Sequence, residues 1–273
     1  MYKEFYSLKE NPFKLSPSTQ YFFLSPQVKG ILRLLNYGLE QNVGFMMVTG
    51  EVGVGKTSVL RYFMSRLNSN VERAYLFNPT FSHSADLLQF LLLDLQVIKE
   101  PIEQTGEASK ASLLHRLHQF LLEKYHEGKK VLFIVDDAQA SPDFILEELR
   151  LLSNFETNED KLLQILLVGQ PELKEKVKGK SLRQLGQRIA IQVEMKPLTK
   201  EETAAYINYR LIKAGAQGSL FNPKAIKLIH KKSKGLPRII NLIAERALIA
   251  GYLNSKVAIG KKEVKLALKE LGL

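Results

Sequence analysis

The apolar run Phe45-Met46-Met47-Val48-Thr49 ends at Gly50 and leads at once into Glu51-Val52-Gly53-Val54-Gly55-Lys56-Thr57. Residues 50–57 satisfy G-x-x-x-x-G-K-[ST] in full, and helical periodicity runs from Thr57 to Leu67. Strand, glycine-rich loop and helix in that order leave a chain few folds to choose from. A loop this tight aims backbone N–H groups inward, and side chains at its glycines would obstruct what those groups hold. Together with the positive end of the following helix, such donors suit the phosphates of a nucleotide. The segment expected to line it is Gly50, Glu51, Val52, Gly53, Val54, Gly55, Lys56, Thr57 and Ser58. Lys56 is expected to reach the β- and γ-phosphates and the Thr57 hydroxyl to ligate Mg²⁺.

Downstream the pattern alternates. Strands are predicted at Ala74–Phe77, Val131–Val135, Leu162–Val168 and about Ile189–Val193, with helices over Leu87–Ile98, Leu113–Leu121 and Asp143–Asn154. The segment between Pro101 and Lys110 reads as a polar loop. Strands separated by helices imply an α/β fold with a mainly parallel sheet covered on both faces. Asp136 and Asp137 follow the most apolar strand. A carboxylate at the end of a buried strand is costly unless a cation meets it, so Asp136 is expected to hold Mg²⁺, mostly through water. Asp137 stands where a carboxylate would orient or deprotonate an attacking water. After the next strand, Gln170 is either a polar sensor of γ-phosphate and water or an ordinary turn residue.

Beyond Pro197 the strand signal stops. Thr199 with Glu202 forms a capping box, Asn222-Pro223 opens a second helix, Pro237 a third, and Lys261–Leu271 a fourth. The organisation read from this is an aromatic, proline-containing arm over residues 1–27 (with Pro12, Pro17 and Pro26), a nucleotide-binding core over 28–195 and a helical lid over 196–273. Charge follows the same division: residues 1–195 hold 23 basic and 23 acidic side chains, whereas residues 196–273 hold 16 and 5, which accounts for the net +11. A basic third is either a solvated helical face or a surface for a polyanion such as DNA or an anionic membrane. Cysteine is absent, which excludes disulfides, zinc-thiolate sites and cysteine nucleophiles. No apolar run reaches the roughly 20 residues of a membrane span, and the first residues lack a signal-peptide core. A cytoplasmic chain is expected, with peripheral association at the inner membrane as the variant.

These residues resemble an AAA+ ATPase, more narrowly the ExeA/GspA (general secretion pathway protein A-like) family, which is related to MuB, TniB and TnsC-type ATPases. The likeness rests on Asn11-Pro12-Phe13, Gly44-Phe45, the loop at 50–57, Asp136-Asp137-Ala138-Gln139, Gly169-Gln170-Pro171-Glu172-Leu173, Leu182-Arg183-Gln184-Leu185-Gly186-Gln187-Arg188-Ile189 and Gly235-Leu236-Pro237-Arg238. The resemblance implies a five-stranded parallel sheet of order 5-1-4-3-2 plus a small all-helical lid. It implies ATP and Mg²⁺ as ligands, Gln170 as sensor and Arg238 as the lid arginine reaching the γ-phosphate. Arg188, with Arg183 as the second choice, would be the finger given to a neighbouring subunit. Self-association into a ring or filament follows, with a protein partner in an envelope or export apparatus. The alternative is a DNA-binding transposition regulator that uses the basic lid. Two departures are expected to matter. Asp137 replaces the usual Glu, which would slow hydrolysis or leave a nucleotide-binding scaffold. The transmembrane and peptidoglycan-binding segments of longer relatives are not expected within these residues.

Overall fold

The computed structural model describes residues 2–15, 20–101 and 109–273, so Pro17 and residues 102–108 of the predicted polar loop lie outside the described residues. The elements in chain order are α1 (Tyr2–Phe5), α2 (Pro26–Glu40), β1 (Phe45–Gly50), α3 (Lys56–Arg66), β2 (Val71–Leu76), α4 (Ser84–Asp94), α5 (Lys110–His126), β3 (Lys130–Val135), α6 (Asp143–Leu152), β4 (Gln164–Gly169), α7 (Pro171–Lys178), α8 (Arg183–Arg188) and β5 (Ile189–Met195). Four helices complete the chain: α9 (Lys200–Lys213), α10 (Pro223–Ser233), α11 (Pro237–Leu253) and α12 (Lys261–Leu271). By their contacts the residues fall into two units. A sheet unit comprises Lys29–Gly50 and Phe63–Glu194, and a helical unit comprises Met1–Val28, Glu51–Tyr62 and Met195–Leu273.

In the sheet unit the strand order is β2-β3-β4-β1-β5, the expected order read from the other edge. β1 pairs with β4, β4 with β3 and β3 with β2, all parallel. β1 and β4 are buried along their whole length, as a sheet covered on both faces requires. On one face Phe45, Met47, Phe133, Val135, Ile165 and Leu167 meet the leucines of α4, α5 and α6. On the other, α2 comes so close to β1 that a Cβ at Gly38 would lie 2.5 Å from Met46 Sδ. Truncating any of the fully buried leucines here would cost about 2–5 kcal/mol. Thr49 lies opposite Gly169 and Val135 opposite Leu167, which brings Gly50, Asp136 and Gln170 to one edge of the sheet.

Differences from the sequence reading have local causes. β2 begins at Val71 rather than Ala74, and its exposed Arg73 hides the strand from an apolar search. It is one of the two edge strands, where outward charges are tolerated. α4 starts at Ser84, with the Asp86 carboxylate accepting from His83 N at 3.2 Å. It stops at Asp94, and Gln96 then takes the left-handed conformation (φ 59°), so Ile98 is buried without being helical. α7 and α8 are too short for periodicity to show, although Pro171 marks the first position of α7.

The helical unit has its own core. Ile207, Leu211, Ile229, Ile240, Ile243, Leu248, Ile259 and Val264 are joined by Tyr6, Leu8, Phe13 and Tyr21 of the N-terminal segment. The capping box at α9 is present: Thr199 Oγ1 accepts from Glu202 N at 3.1 Å and Glu202 Oε2 from Thr199 N at 2.9 Å. Polar bonds tie the N-terminal segment down. Asn11 Oδ1 accepts from Phe13 N, and Asn11 Nδ2 and the Tyr2 hydroxyl both donate to Glu245 Oε1 at 2.7 Å. Arg210, buried, donates from Nε to Pro12 O (2.5 Å), from Nη1 to the Tyr206 hydroxyl (2.7 Å) and from Nη2 to Lys14 O (3.2 Å). It also lies over the Tyr21 and Tyr206 rings. The Tyr6 hydroxyl donates to Lys256 O, and burial pushes that phenol up to about 12. Burial likewise raises the Glu245 carboxyl, against the bonds from Tyr2 and Asn11 that lower it.

Candidate functional site

The phosphate-loop half of the site follows from backbone conformation. Gly53 (φ +82°) and Gly55 (φ +107°) both occupy a region that a Cβ disfavours. At Gly55 the space beyond is open, so conformation alone demands glycine, whereas at Gly53 a Cβ would also lie 3.1 Å from Arg238 Cβ. Within the loop Val54 N donates to Glu51 O at 3.3 Å, and the Lys56 ammonium donates to the same carbonyl at 3.2 Å. Val54 is buried, while Glu51 and Val52 are exposed. Lys56 opens α3, with Thr57 and Ser58 partly exposed in its first turn. Arg238 N, in the first turn of α11, donates to Gly53 O at 3.3 Å, and the Arg238 side chain is exposed. The Gly-Leu-Pro-Arg turn and the phosphate loop are therefore joined by a backbone hydrogen bond within the helical unit, although the sequence reading assigns the loop to the core over 28–195.

The acidic half lies at the sheet edge. Asp136 is 4% exposed, and its N donates to Leu76 O at 2.8 Å. Its Oδ2 accepts from the Tyr75 hydroxyl at 3.0 Å and its Oδ1 from Asp137 N at 3.0 Å. Asp137 is exposed and left-handed (φ 51°), a conformation aspartate tolerates better than most residues. Gln139 Nε2 donates to Asp137 Oδ1 at 3.2 Å, while Gln139 Oε1 accepts from Gln170 N at 2.9 Å. Gln170 caps α7 through its backbone, and its side chain makes no capping bond. Asp136, Asp137 and Gln170 are thus brought into one hydrogen-bonded group. Tyr75 and the bridging amide of Gln139 are the members that sequence reasoning missed. Gln139 stood within a quoted motif but carried no role, and the alternation of β2 gives Tyr75 no distinguishing mark.

The two candidate fingers differ. Arg188 Nη1 donates to Arg150 O (3.0 Å), Ser153 Oγ (2.8 Å) and Asn154 Oδ1 (2.6 Å), so its guanidinium sits on the C-terminal end of α6. Arg183 is exposed and lines a shallow recess with Lys174, Lys178 and Gln187.

A five-stranded parallel sheet carrying a glycine-rich phosphate loop after its first strand and paired aspartates after its third defines a P-loop nucleoside triphosphatase fold. The chain belongs to the AAA domain family, which matches residues 39–177, half of its length. It is 40% identical over 271 residues to General secretion pathway protein A of Aeromonas hydrophila, a match covering 99% of this chain and 48% of that protein. The chain therefore spans about half the length of this curated relative. Among solved structures, Cdc6p from Pyrobaculum aerophilum superposes with a TM-score of 0.70 at 19% identity, covering 96% of this chain and 71% of that one. The ORC2 protein of Aeropyrum pernix gives 0.63 at 18% identity, covering 93% and 72%. At these identities the structures share the fold.

Proposed function

We propose that the chain binds and hydrolyses ATP with Mg²⁺ and uses the cycle to drive association between its own copies and with a secretion or export apparatus. The observation that carries the reading is the phosphate loop itself, with two glycines held at positive φ between β1 and α3 and a lysine opening the helix. In this reading the loop amides and Lys56 hold the phosphates. The chemistry of each donor fits Mg²⁺ brought by a triphosphate: Thr57 offers a hydroxyl as ligand, and the buried Asp136 carboxylate would meet the ion mostly through its waters. Bound there, Mg²⁺ would neutralise charge developing on the phosphate oxygens. Asp137 orients the water, whose oxygen bonds to the γ-phosphorus as the bond to the β–γ bridging oxygen breaks, giving ADP and phosphate. The water proton passes to the carboxylate and on to solvent. Gln170 and Arg238 contact the γ-phosphoryl group, and Arg188 or Arg183 contacts the nucleotide of a neighbouring copy.

The shorter Asp137 in place of Glu makes slow turnover part of the proposal, and Asp137→Glu is expected to raise it several-fold, in the sense that small displacements at a reacting centre cost up to about a hundredfold. The export role is supported by the name of the 40% identical relative, General secretion pathway protein A. The domain division of arm, core and lid at residues 27 and 195 remains part of this reading. The direct test is calorimetry of Mg·ATP binding to the wild type and to Lys56→Ala. Heat in the first and none in the second supports the site, and no heat in either ends the proposal. Mass measurement with a non-hydrolysable ATP analogue tests association. A monomer throughout removes the finger role of both arginines.

A second reading, ATP-dependent DNA binding, is favoured by one observation. Lys231, Lys232, Lys234, Lys261 and Lys262 are all exposed, and none forms an ion pair among the described residues. A steep salt dependence of duplex binding that requires ATP would support it, and no binding at about 50 mM salt would remove it.

A further inference from the structure

We propose that Gln139 is a positioning residue that fixes the Asp137 carboxylate and couples it to the turn between β4 and α7. The inference rests on the reading of Asp137 as the water-orienting group and assigns how that group is held. An exposed aspartate at the end of a strand samples several side-chain rotamers. Here one of its oxygens accepts from Gln139 Nε2 at 3.2 Å, which selects one orientation and leaves the other oxygen to meet a water.

The amide that does this is itself held without ambiguity. Gln170 N can only donate, so the atom 2.9 Å from it must be the amide oxygen of Gln139. With its oxygen held there, the amide turns its nitrogen to Asp137 Oδ1. The two bonds together fix which end of the amide is which. Gly169 provides the space: a Cβ there would stand 2.7 Å from Gln139 Oε1 and 2.8 Å from Leu173 Cδ2. From α7, Lys176 Nζ reaches back to Gln139 O at 3.5 Å and also bonds Ser141 O, which anchors the backbone beneath the amide. A shift of the Gln170 turn is therefore passed to Asp137 through two hydrogen bonds in series. In a site whose sensor is Gln170, this makes the aspartate's placement depend on whether that sensor is engaged.

Gln139→Glu tests this because it keeps an acceptor for Gln170 N and the same shape, while a carboxylate replaces the donor facing Asp137. A residue that only anchored the turn would tolerate it. The expected result is a fall in kcat of about 10- to 100-fold, with KM for ATP and the dissociation constant of a fluorescent ATP analogue within about twofold and an unchanged melting temperature. Gln139→Ala, which loses both bonds, should fall at least as far in kcat. Wild-type kcat in Gln139→Glu, or a change confined to KM, overturns the proposal. Asp137→Ala separates the layers. If it abolishes turnover while Gln139→Glu does not, only the coupling is wrong; if it turns over normally, the reading of Asp137 fails and the coupling with it.

Discussion

The sheet unit and the helical unit use their hydrogen-bonding side chains to different ends. In the sheet unit the polar atoms at neighbouring strand ends bind one another: Tyr75 to Asp136, Gln139 to Asp137 and Gln170, at sequence separations of 61, 2 and 31. In the helical unit they bind across almost the whole chain: Arg210 holds carbonyls at Pro12 and Lys14, and Glu245 accepts from Tyr2 and Asn11. The first network sits on a frame already secured by apolar strands, so its members are available for chemistry. The second network is part of the frame. Substitutions in the two should therefore separate turnover from stability.

The sharpest break of that contrast would come from Asp137→Asn. Turnover is expected to fall by about 10²–10⁴-fold, as for loss of a general base, with the melting temperature unmoved. Unfolding at unchanged pH would mean that the sheet-edge group is structural after all. On the other side, Arg210→Ala removes donors from the Pro12 and Lys14 carbonyls and the packing over two tyrosines. It should cost about 2–4 kcal/mol in urea unfolding. If the variant loses less than about 1 kcal/mol, the arm is not held as described.

Between these extremes lies Gly169→Ala, whose methyl would press on both Gln139 and Leu173. It should lower stability by about 1–3 kcal/mol and turnover as well, a mixed outcome because this glycine serves both packing and site. The smallest effect is a pH dependence. The raised Glu245 carboxyl favours the folded state below the unfolded carboxylate range, and that contribution is lost as pH rises through the raised value. Glu245→Gln should accordingly melt about 1–2 °C above the wild type near pH 7.5, with the gap closing toward pH 4. A gap independent of pH would assign the effect to shape rather than charge.

The same contrast explains what could be read from the sequence. The central strands β1, β3 and β4 announce themselves because burial on both faces demands an unbroken apolar run, and the phosphate loop because its glycines answer to backbone conformation. The placement of Asp136 and Gln170 at strand ends is legible from the apolar runs before them, whereas the choice of Gln170 as sensor comes only from the family resemblance. The edge strand β2 was read short, since a strand with one open edge keeps Glu72 and Arg73. Gln139 was invisible as a bridge because Gln170, the partner of its amide oxygen, is brought beside it only by the pairing of β3 with β4. Asn11-Pro12-Phe13 gave no sign of its partners Arg210 and Glu245, because nothing local in the motif encodes contacts some two hundred residues away.

Those distant contacts set an order on synthesis. The Tyr6 hydroxyl meets its acceptor at Lys256, 250 positions later. At roughly 5–20 residues per second on the ribosome, the first helix and its aromatic neighbours wait about 12–50 s before the helical unit they complete can close around them. During translation the sheet unit can assemble first, while Tyr6, Leu8 and Phe13 stay without their eventual shelter and open to chaperone capture.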